Sequence, residues 1–111
     1  MITLGSRSFA GPFLSPLWSP PRAPGVFAVM IPGWRLLMFH PVHFGEATDL
    51  AYAGLIKGHP SYADWLALAG TEWNLYVAAC EMYNSTESER QAVRRELAGV
   101  VSSTVRGPLH A

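Results

Sequence analysis

The hydrophobic pattern of the chain predicts a β-hairpin in its first half. Residues 25–31 form an apolar run rich in β-prone side chains, and Pro32-Gly33 follows as a pair suited to a tight turn. Residues 34–39 form a second such run and are expected to be the antiparallel partner strand. Because Pro41 lacks the N–H that a sheet ladder needs, we expect a bulge there before the strand pattern resumes at residues 42–45.

Two helices are predicted after the hairpin. Thr48 or Asp49 can cap a first helix that runs to about Lys57, where Gly58 supplies the stop. A second, short helix is predicted over residues 62–69, because apolar side chains recur on one helical face there: Tyr62, Trp65, Leu66 and Ala69.

The remainder of the chain predicts one more strand and a last helix. Residues 73–80 are β-prone and should lie beside the hairpin. Thr86 and Glu89 match a capping box, which predicts a helix with an apolar stripe of Val93, Leu97, Val100 and Val101. The predicted order is β-β-α-α-β-α, an α/β (α+β) fold in which helices flank a small, three-stranded, mainly antiparallel sheet.

The pattern divides the chain into three parts. Residues 1–24 are rich in Pro and have neither helical nor strand periodicity, so we expect an N-terminal arm rather than a core element. Residues 25–101 are the predicted folded domain, and residues 102–111 are a C-terminal tail. Because the arm carries large apolar side chains, we expect it to lie across the domain or a neighbouring subunit, and a protein partner or a homodimer contact is the sharper alternative.

Composition favours one small globular domain. Of the 111 residues 50% are apolar and 14% are charged, which suits a single hydrophobic core. Eight basic and eight acidic residues cancel, so nucleic-acid binding would need a local basic patch. The single Cys80 has no disulfide partner in the chain and is expected to be a buried small hydrophobe. Without a long apolar run or a signal-peptide pattern, we expect a cytoplasmic protein with no membrane span.

The element order and three short motifs resemble the GIY-YIG nuclease domain of homing endonucleases, certain repair nucleases and some restriction enzymes. Gly25-Val26-Phe27 resembles the first signature tripeptide on the first strand. His43-Phe44-Gly45 resembles the second signature, at the end of the second strand. Glu96, followed by Leu97, is similar to the metal-binding glutamate of the last helix. The resemblance covers residues 25–101.

The resemblance implies a phosphodiester-cleaving site with three parts. In the family a tyrosine near the second signature helps to activate water, an arginine on the first helix stabilises the phosphate charge, and the glutamate holds a divalent cation such as Mg²⁺. Here Phe27 has no hydroxyl, and His43 stands in place of the second tyrosine. The family arginine would fall at about Ala53, and Lys57 is the nearest cation.

Two functions from different classes follow. The first is a non-catalytic interaction or DNA-binding module, in which Arg90, Arg94, Arg95 and Lys57 contact phosphates. The second is a residual Mg²⁺-dependent DNA endonuclease that uses His43 and Glu96, with Tyr52 or Tyr76 supplying the missing hydroxyl. We favour the first, because several groups that cleavage requires are replaced while those needed for folding are present.

Histidines suggest a third alternative, a transition-metal site formed by His40, His43 and His59. On a regular strand a spacing of three points His40 and His43 to opposite faces, so the sequence disfavours this site unless the bulge near Pro41 turns the rings together.

Overall fold

The structure is a computed structural model that describes residues 2–33 and 39–110, and within them the side chains up to residue 99. In this part of the chain five strands form one antiparallel sheet in the order β1-β2-β5-β3-β4. The strands are β1 (Ile2–Leu4), β2 (Arg7–Leu14), β3 (Gly25–Pro32), β4 (Phe39–Ala47) and β5 (Tyr76–Glu81). Two helices, α1 (Tyr62–Ala69) and α2 (Glu87–His110), and two 3₁₀ turns, Ser15–Leu17 and Glu72–Asn74, complete the fold.

The sheet is buried on both faces, and β3 lies between β5 and β4. Successive side chains of a strand point to opposite faces, so Phe27 and Val29 enter one core while Val26 and Ala28 enter the other. The α1 face is covered by α1 and the segment before it, and its core contains Phe27, Val29, Ala47, Leu50, Ile56, Trp65, Leu75, Val77 and Ala79. The α2 face is covered by α2, and its core contains Leu4, Phe9, Val26, Ala28, Met30, Ala78, Val93 and Leu97.

The N-terminal segment belongs to the sheet, so the predicted three-stranded sheet is wrong. β1 and β2 form a hairpin that turns at Gly5, whose φ of 61° is a conformation that favours glycine. β2 then pairs with β5, and Phe9 is fully buried in the α2-face core. Sequence patterning missed this hairpin because β1 has only three residues and the register of β2 shifts between Ala10 and Phe13.

The hairpin of β3 and β4 confirms the predicted bulge. Val29 pairs with His43 but the next residue, Met30, pairs with Pro41, so Val42 is the extra residue on β4. Most of the predicted second strand, residues 34–38, lies outside the described residues.

The predicted helix over residues 48–57 is wrong, and the chain forms successive tight turns there. The Asp49 carboxylate accepts a hydrogen bond from the Ala51 N–H at 2.9 Å, which diverts the backbone into an Asx turn instead of a helical cap. Further turns follow, with Leu55 N–H donating to the Tyr52 carbonyl at 3.0 Å. This path carries Leu50 and Ile56 into the α1-face core. The observed order is therefore β-β-β-β-α-β-α.

The later elements are closer to prediction. Helix α1 has the predicted bounds, whereas the predicted strand over residues 73–80 begins only at Tyr76, after a 3₁₀ turn. Cys80 is partly buried, packed against the α2-face core.

The capping box at the start of α2 is confirmed. Glu89 N–H donates to Thr86 Oγ1 at 3.1 Å, and Thr86 N–H donates to Glu89 Oε1 at 2.9 Å. Val93 and Leu97 are buried as expected, and the backbone helix continues to His110, through residues predicted to be a tail. Among residues 2–33 and 39–110, no helix is long and apolar enough to cross a membrane.

Candidate functional site

Four rings from four parts of the chain meet on the α1 face, and we call them the His–Trp cluster: Phe27, His43, His59 and Trp65. The ring centroids of His43 and His59 are 4.8 Å apart, and those of His59 and Trp65 are 4.6 Å apart. His43 lies 5.1 Å from Trp65 and 6.1 Å from Phe27. The sequence separation of these residues gives no local signal that they are neighbours.

Rigid elements hold two of the rings in place. His43 lies on β4, directly opposite Val29 of β3, and Trp65 is 3% exposed on the buried side of α1. His59 belongs to the turn segment, and its Nδ1 accepts a hydrogen bond from the Ser61 N–H at 3.0 Å. A nitrogen that accepts a hydrogen bond carries no proton, so the proton of neutral His59 is on Nε2. His59 therefore presents a fixed N–H donor.

Gly45 makes room for the cluster. It lies on β4 directly opposite Phe27, and a Cβ added at this position would come within 2.7 Å of Phe27 Cε1. Only glycine allows the Phe27 ring to lie across this strand, because 2.7 Å is closer than real Cβ atoms approach. The need to accommodate the Phe27 ring therefore explains the glycine at position 45.

The environment of His43 keeps its imidazole uncharged at neutral pH. Burial, then the neighbouring His59, then the Arg94 guanidinium lower the pKa of His43 from 6.5 to about 4. His43 can thus accept or donate a hydrogen bond at pH 7. As a general base it is weak, since proton abstraction is most efficient when the pKa lies near the working pH.

The residues predicted to be catalytic are not brought together. Tyr76 packs on the α2 face against Phe39, with ring centroids 4.9 Å apart, so the sheet separates its hydroxyl from the α1 face on which His43 lies. Tyr52 is 66% exposed on the turn segment, and Glu96 is exposed on α2. Among the described side chains, no aromatic pair or hydrogen bond joins Tyr52 or Glu96 to His43.

Arg90 has a structural role that the sequence did not reveal. Its side chain is buried, and Nε lies 2.8 Å from Glu46 Oε2 in an ion pair between α2 and β4. Its Nη1 donates to the Ser85 carbonyl at 2.8 Å, and its Nη2 donates to Thr48 Oγ1 at 3.4 Å. Arg90 is therefore not available to a phosphate, contrary to the prediction. The pair joins residues 44 apart in sequence, so no local spacing marks it.

The other predicted cations differ in exposure. Arg94 is partly buried, donates from Nε to Gln91 Oε1 at 2.8 Å, and lies close enough to His43 to oppose protonation of that ring. Arg95 and Lys57 are exposed. Of the predicted basic set, Arg94 is thus the residue whose charge acts on His43.

The positions that resemble the GIY-YIG signatures lie on neighbouring strands. Gly25 pairs with Ala47 and Phe27 pairs with Gly45 across the hairpin of β3 and β4. Phe44 points to the other side of β4 and packs on the α2 face. Ala53 is exposed in a turn rather than on a helix. The resemblance expects an arginine on a helix at this position, but here the position lies in a turn.

The metal alternatives fit the site poorly. The bulge does turn His40 and His43 to one face, because they pair with Ile31 and Val29 of the same side of β3. However, His59 Nε2 carries the proton when Nδ1 accepts from Ser61, so it has no lone pair for a metal ion. Within the described residues no three or more His, Cys, Asp or Glu side chains are arranged to hold a metal ion. Glu96 supplies one exposed carboxylate, which is a weak ligand set for Mg²⁺.

Comparison of the chain with protein-family models, with curated proteins and with solved structures found no match.

Proposed function

We propose that this chain is a non-catalytic, GIY-YIG-like domain that binds a phosphate-bearing ligand, a nucleic-acid strand, at the His–Trp cluster. The observation that carries the proposal is the contact between the imidazoles of His43 and His59 on the α1 face, in a cluster of four rings that contains no carboxylate, with the Arg94 guanidinium acting electrostatically on His43. Imidazole N–H donors and a guanidinium suit a phosphate, and Arg94 supplies a positive charge.

The same arrangement supports binding better than cleavage. Hydrolysis of a phosphodiester needs an activated nucleophile and a cation that stabilises the charge developing on the phosphoryl oxygens. His43 is a weak base at neutral pH, Tyr76 lies across the sheet, and within the described residues Glu96 belongs to no group of three or more side chains that could hold a metal ion. The endonuclease alternative is kept as an outcome of the experiment.

The expected binding is modest and sensitive to salt. A single strand releases about 0.7 counterions for each phosphate neutralised, so one or two contacts predict a log–log salt slope of roughly −0.7 to −1.4. The net charge of zero predicts no long-range attraction to a polyanion, so affinity depends on the local site.

The test is fluorescence anisotropy with a labelled oligo(dT) and a matched duplex between 25 and 200 mM salt. We expect Arg94→Gln to weaken binding about fivefold or more and to reduce the salt slope by roughly 0.7. Arg7→Gln is the matched control, because Arg7 lies on β2, three strands or roughly 14 Å from β4. It removes the same charge and should leave affinity nearly unchanged.

Two results would contradict the proposal. The absence of binding to either probe at 25 mM salt would refute a nucleic-acid site. Mg²⁺-dependent cleavage of supercoiled DNA that disappears in both His43→Ala and Glu96→Ala would establish the endonuclease instead.

A further inference from the structure

The turn segment between β4 and α1, residues 48–61, presents an exposed aromatic ring and also carries His59 of the His–Trp cluster. Tyr52 is 66% exposed, although Leu50 and Ile56 of the same segment are buried in the α1-face core. We propose that the nucleic acid bound by this domain is single-stranded and that the Tyr52 ring stacks on one of its bases. This inference rests on the proposed function and defines the class of ligand more closely.

The Tyr52 ring lies against the glycine two residues further along the chain. A Cβ added at Gly54 would lie 2.9 Å from Tyr52 Cε2, 3.2 Å from Cζ and 3.1 Å from the hydroxyl oxygen. The ring therefore occupies the space that a side chain at position 54 would need. An aromatic ring that is supported on one side and open to solvent on the other can receive a base, because every base has a flat π-face.

Hydrogen bonds and buried side chains hold this part of the chain in place. The Tyr52 N–H donates to the Asp49 carbonyl at 3.1 Å, and the Tyr52 carbonyl accepts from the Leu55 N–H at 3.0 Å. Leu50 and Ile56 anchor the backbone on either side in the core. A tyrosine has only two side-chain torsions to fix, so a ring on an ordered backbone loses little conformational entropy when it contacts a ligand.

Close packing within the turn segment connects the ring with a cation and with the cluster. A Cβ added at Gly58 would lie 2.9 Å from Gly54 Cα, so the two glycine backbones are in contact. The exposed Lys57 precedes Gly58, and His59 follows it. These approaches place the Tyr52 hydroxyl within about 13 Å of the His59 Cα. A short strand can therefore contact both the ring and the cluster, with the Lys57 ammonium available to a phosphate.

Stacking on a side chain favours a single strand over a duplex. The bases of a duplex are already stacked and paired, and free energy is needed to expose one, whereas the bases of a single strand are open to an aromatic ring. The net charge of zero gives the chain no long-range attraction to the more highly charged duplex. We therefore expect tighter binding to single strands and little discrimination among base sequences.

Fluorescence anisotropy with three labelled probes of one length tests the inference: oligo(dT), the matched duplex, and an abasic strand that keeps the sugars and phosphates. The wild type should bind oligo(dT) most tightly, and Tyr52→Ala should weaken this binding about fivefold or more. Tyr52→Phe should stay within about twofold of the wild type, because a phenyl ring also stacks. On the abasic strand Tyr52→Ala and the wild type should have equal affinity, because the substitution removes no charge.

Two control variants separate stacking from other effects. Phe13→Ala also removes an exposed ring, 42% exposed on β2, which β5 and β3 separate from β4, and it should leave the affinity for oligo(dT) nearly unchanged. Lys57→Gln removes a charge, so it should weaken binding of the intact and the abasic strand by the same factor and reduce the salt slope by about 0.7.

The outcomes separate this inference from the proposed function. Equal binding of oligo(dT) by Tyr52→Ala and the wild type, or tighter binding of the duplex than of oligo(dT), overturns the stacking and leaves the nucleic-acid site intact. Wild-type protein that binds the abasic strand as tightly as oligo(dT) also overturns the stacking, and this measurement requires no variant to fold. No binding of any probe at low salt overturns both.

Discussion

Replacing Gly45 with alanine should destabilise the domain through a single methyl group. The new Cβ would lie within 2.7 Å of Phe27 Cε1 and 3.1 Å of Cε2, both closer than ordinary van der Waals contact. Phe27 is itself only 2% exposed and packed against the α1-face core, so its ring has little space into which it can move.

The expected magnitude is the difference between two effects. Overpacking a dense core costs about 1–3 kcal/mol. Removing a glycine from the unfolded chain stabilises by roughly 0.4–1 kcal/mol. We therefore expect a net loss of about 1–2 kcal/mol in the free energy of unfolding, which at an m value near 1.5 kcal/mol/M lowers the urea midpoint by roughly 1 M.

Urea unfolding followed by tryptophan fluorescence measures this loss. Gly99→Ala is the opposite-signed control: Gly99 is exposed within α2, nothing lies within 4 Å of an added Cβ, and alanine should stabilise the helix by up to about 1 kcal/mol. A double-mutant cycle with Phe27→Leu should recover about 1 kcal/mol of the Gly45→Ala loss, since the shorter side chain clears the strand. A Gly45→Ala protein as stable as the wild type would refute the packing argument.

Two further predictions concern the charged groups of the fold. Arg90→Met should lose about 2–4 kcal/mol of stability, because the largely buried Glu46 carboxylate is left without its ion-pair partner. Thermal unfolding at neutral pH measures the loss, and a Tm within about 1 °C of the wild type would contradict this role. The pKa of His43 is lowered from 6.5 to about 4 in the folded state, so as pH falls the unfolded chain binds a proton on this residue before the folded protein does. The stability contributed by neutral His43 is therefore complete above pH 6.5 and is lost as pH falls towards 4. After allowance for partial exposure this contribution is about 1–2 kcal/mol, and urea midpoints at pH 7 and pH 4.5 should differ less in His43→Gln than in the wild type; an equal pH dependence in both proteins would show that other groups are responsible.

Elements encoded by neighbouring residues were predictable from the sequence. Thr86 and Glu89 satisfy each other's backbone N–H groups within one helical turn, so the start of α2 follows from local chemistry. The apolar spacing of residues 62–69 similarly defines α1, and the missing N–H of Pro41 accounts for the bulge in β4. The predicted helix over residues 48–57 was wrong because two local signals compete there. Asp49 could cap a helix or close an Asx turn, and the chain forms the turn, with Leu50 and Ile56 buried.

Pairings between distant residues were decided only by the tertiary structure. β2 pairs with β5, with Ala10 opposite Ala79, and the register shift within β2 interrupts the alternating pattern by which a sequence indicates a strand. The sequence indicated a surface cation at Arg90, whereas the fold pairs it with Glu46, and the pKa of His43 is lowered by burial and then by His59 and Arg94. The sequence by itself determined which residues could cap, turn and alternate, because those effects act over a few residues. The site's charge, exposure and chemistry depend on which strands and helices meet, and that is settled by packing the whole chain into two cores around one sheet.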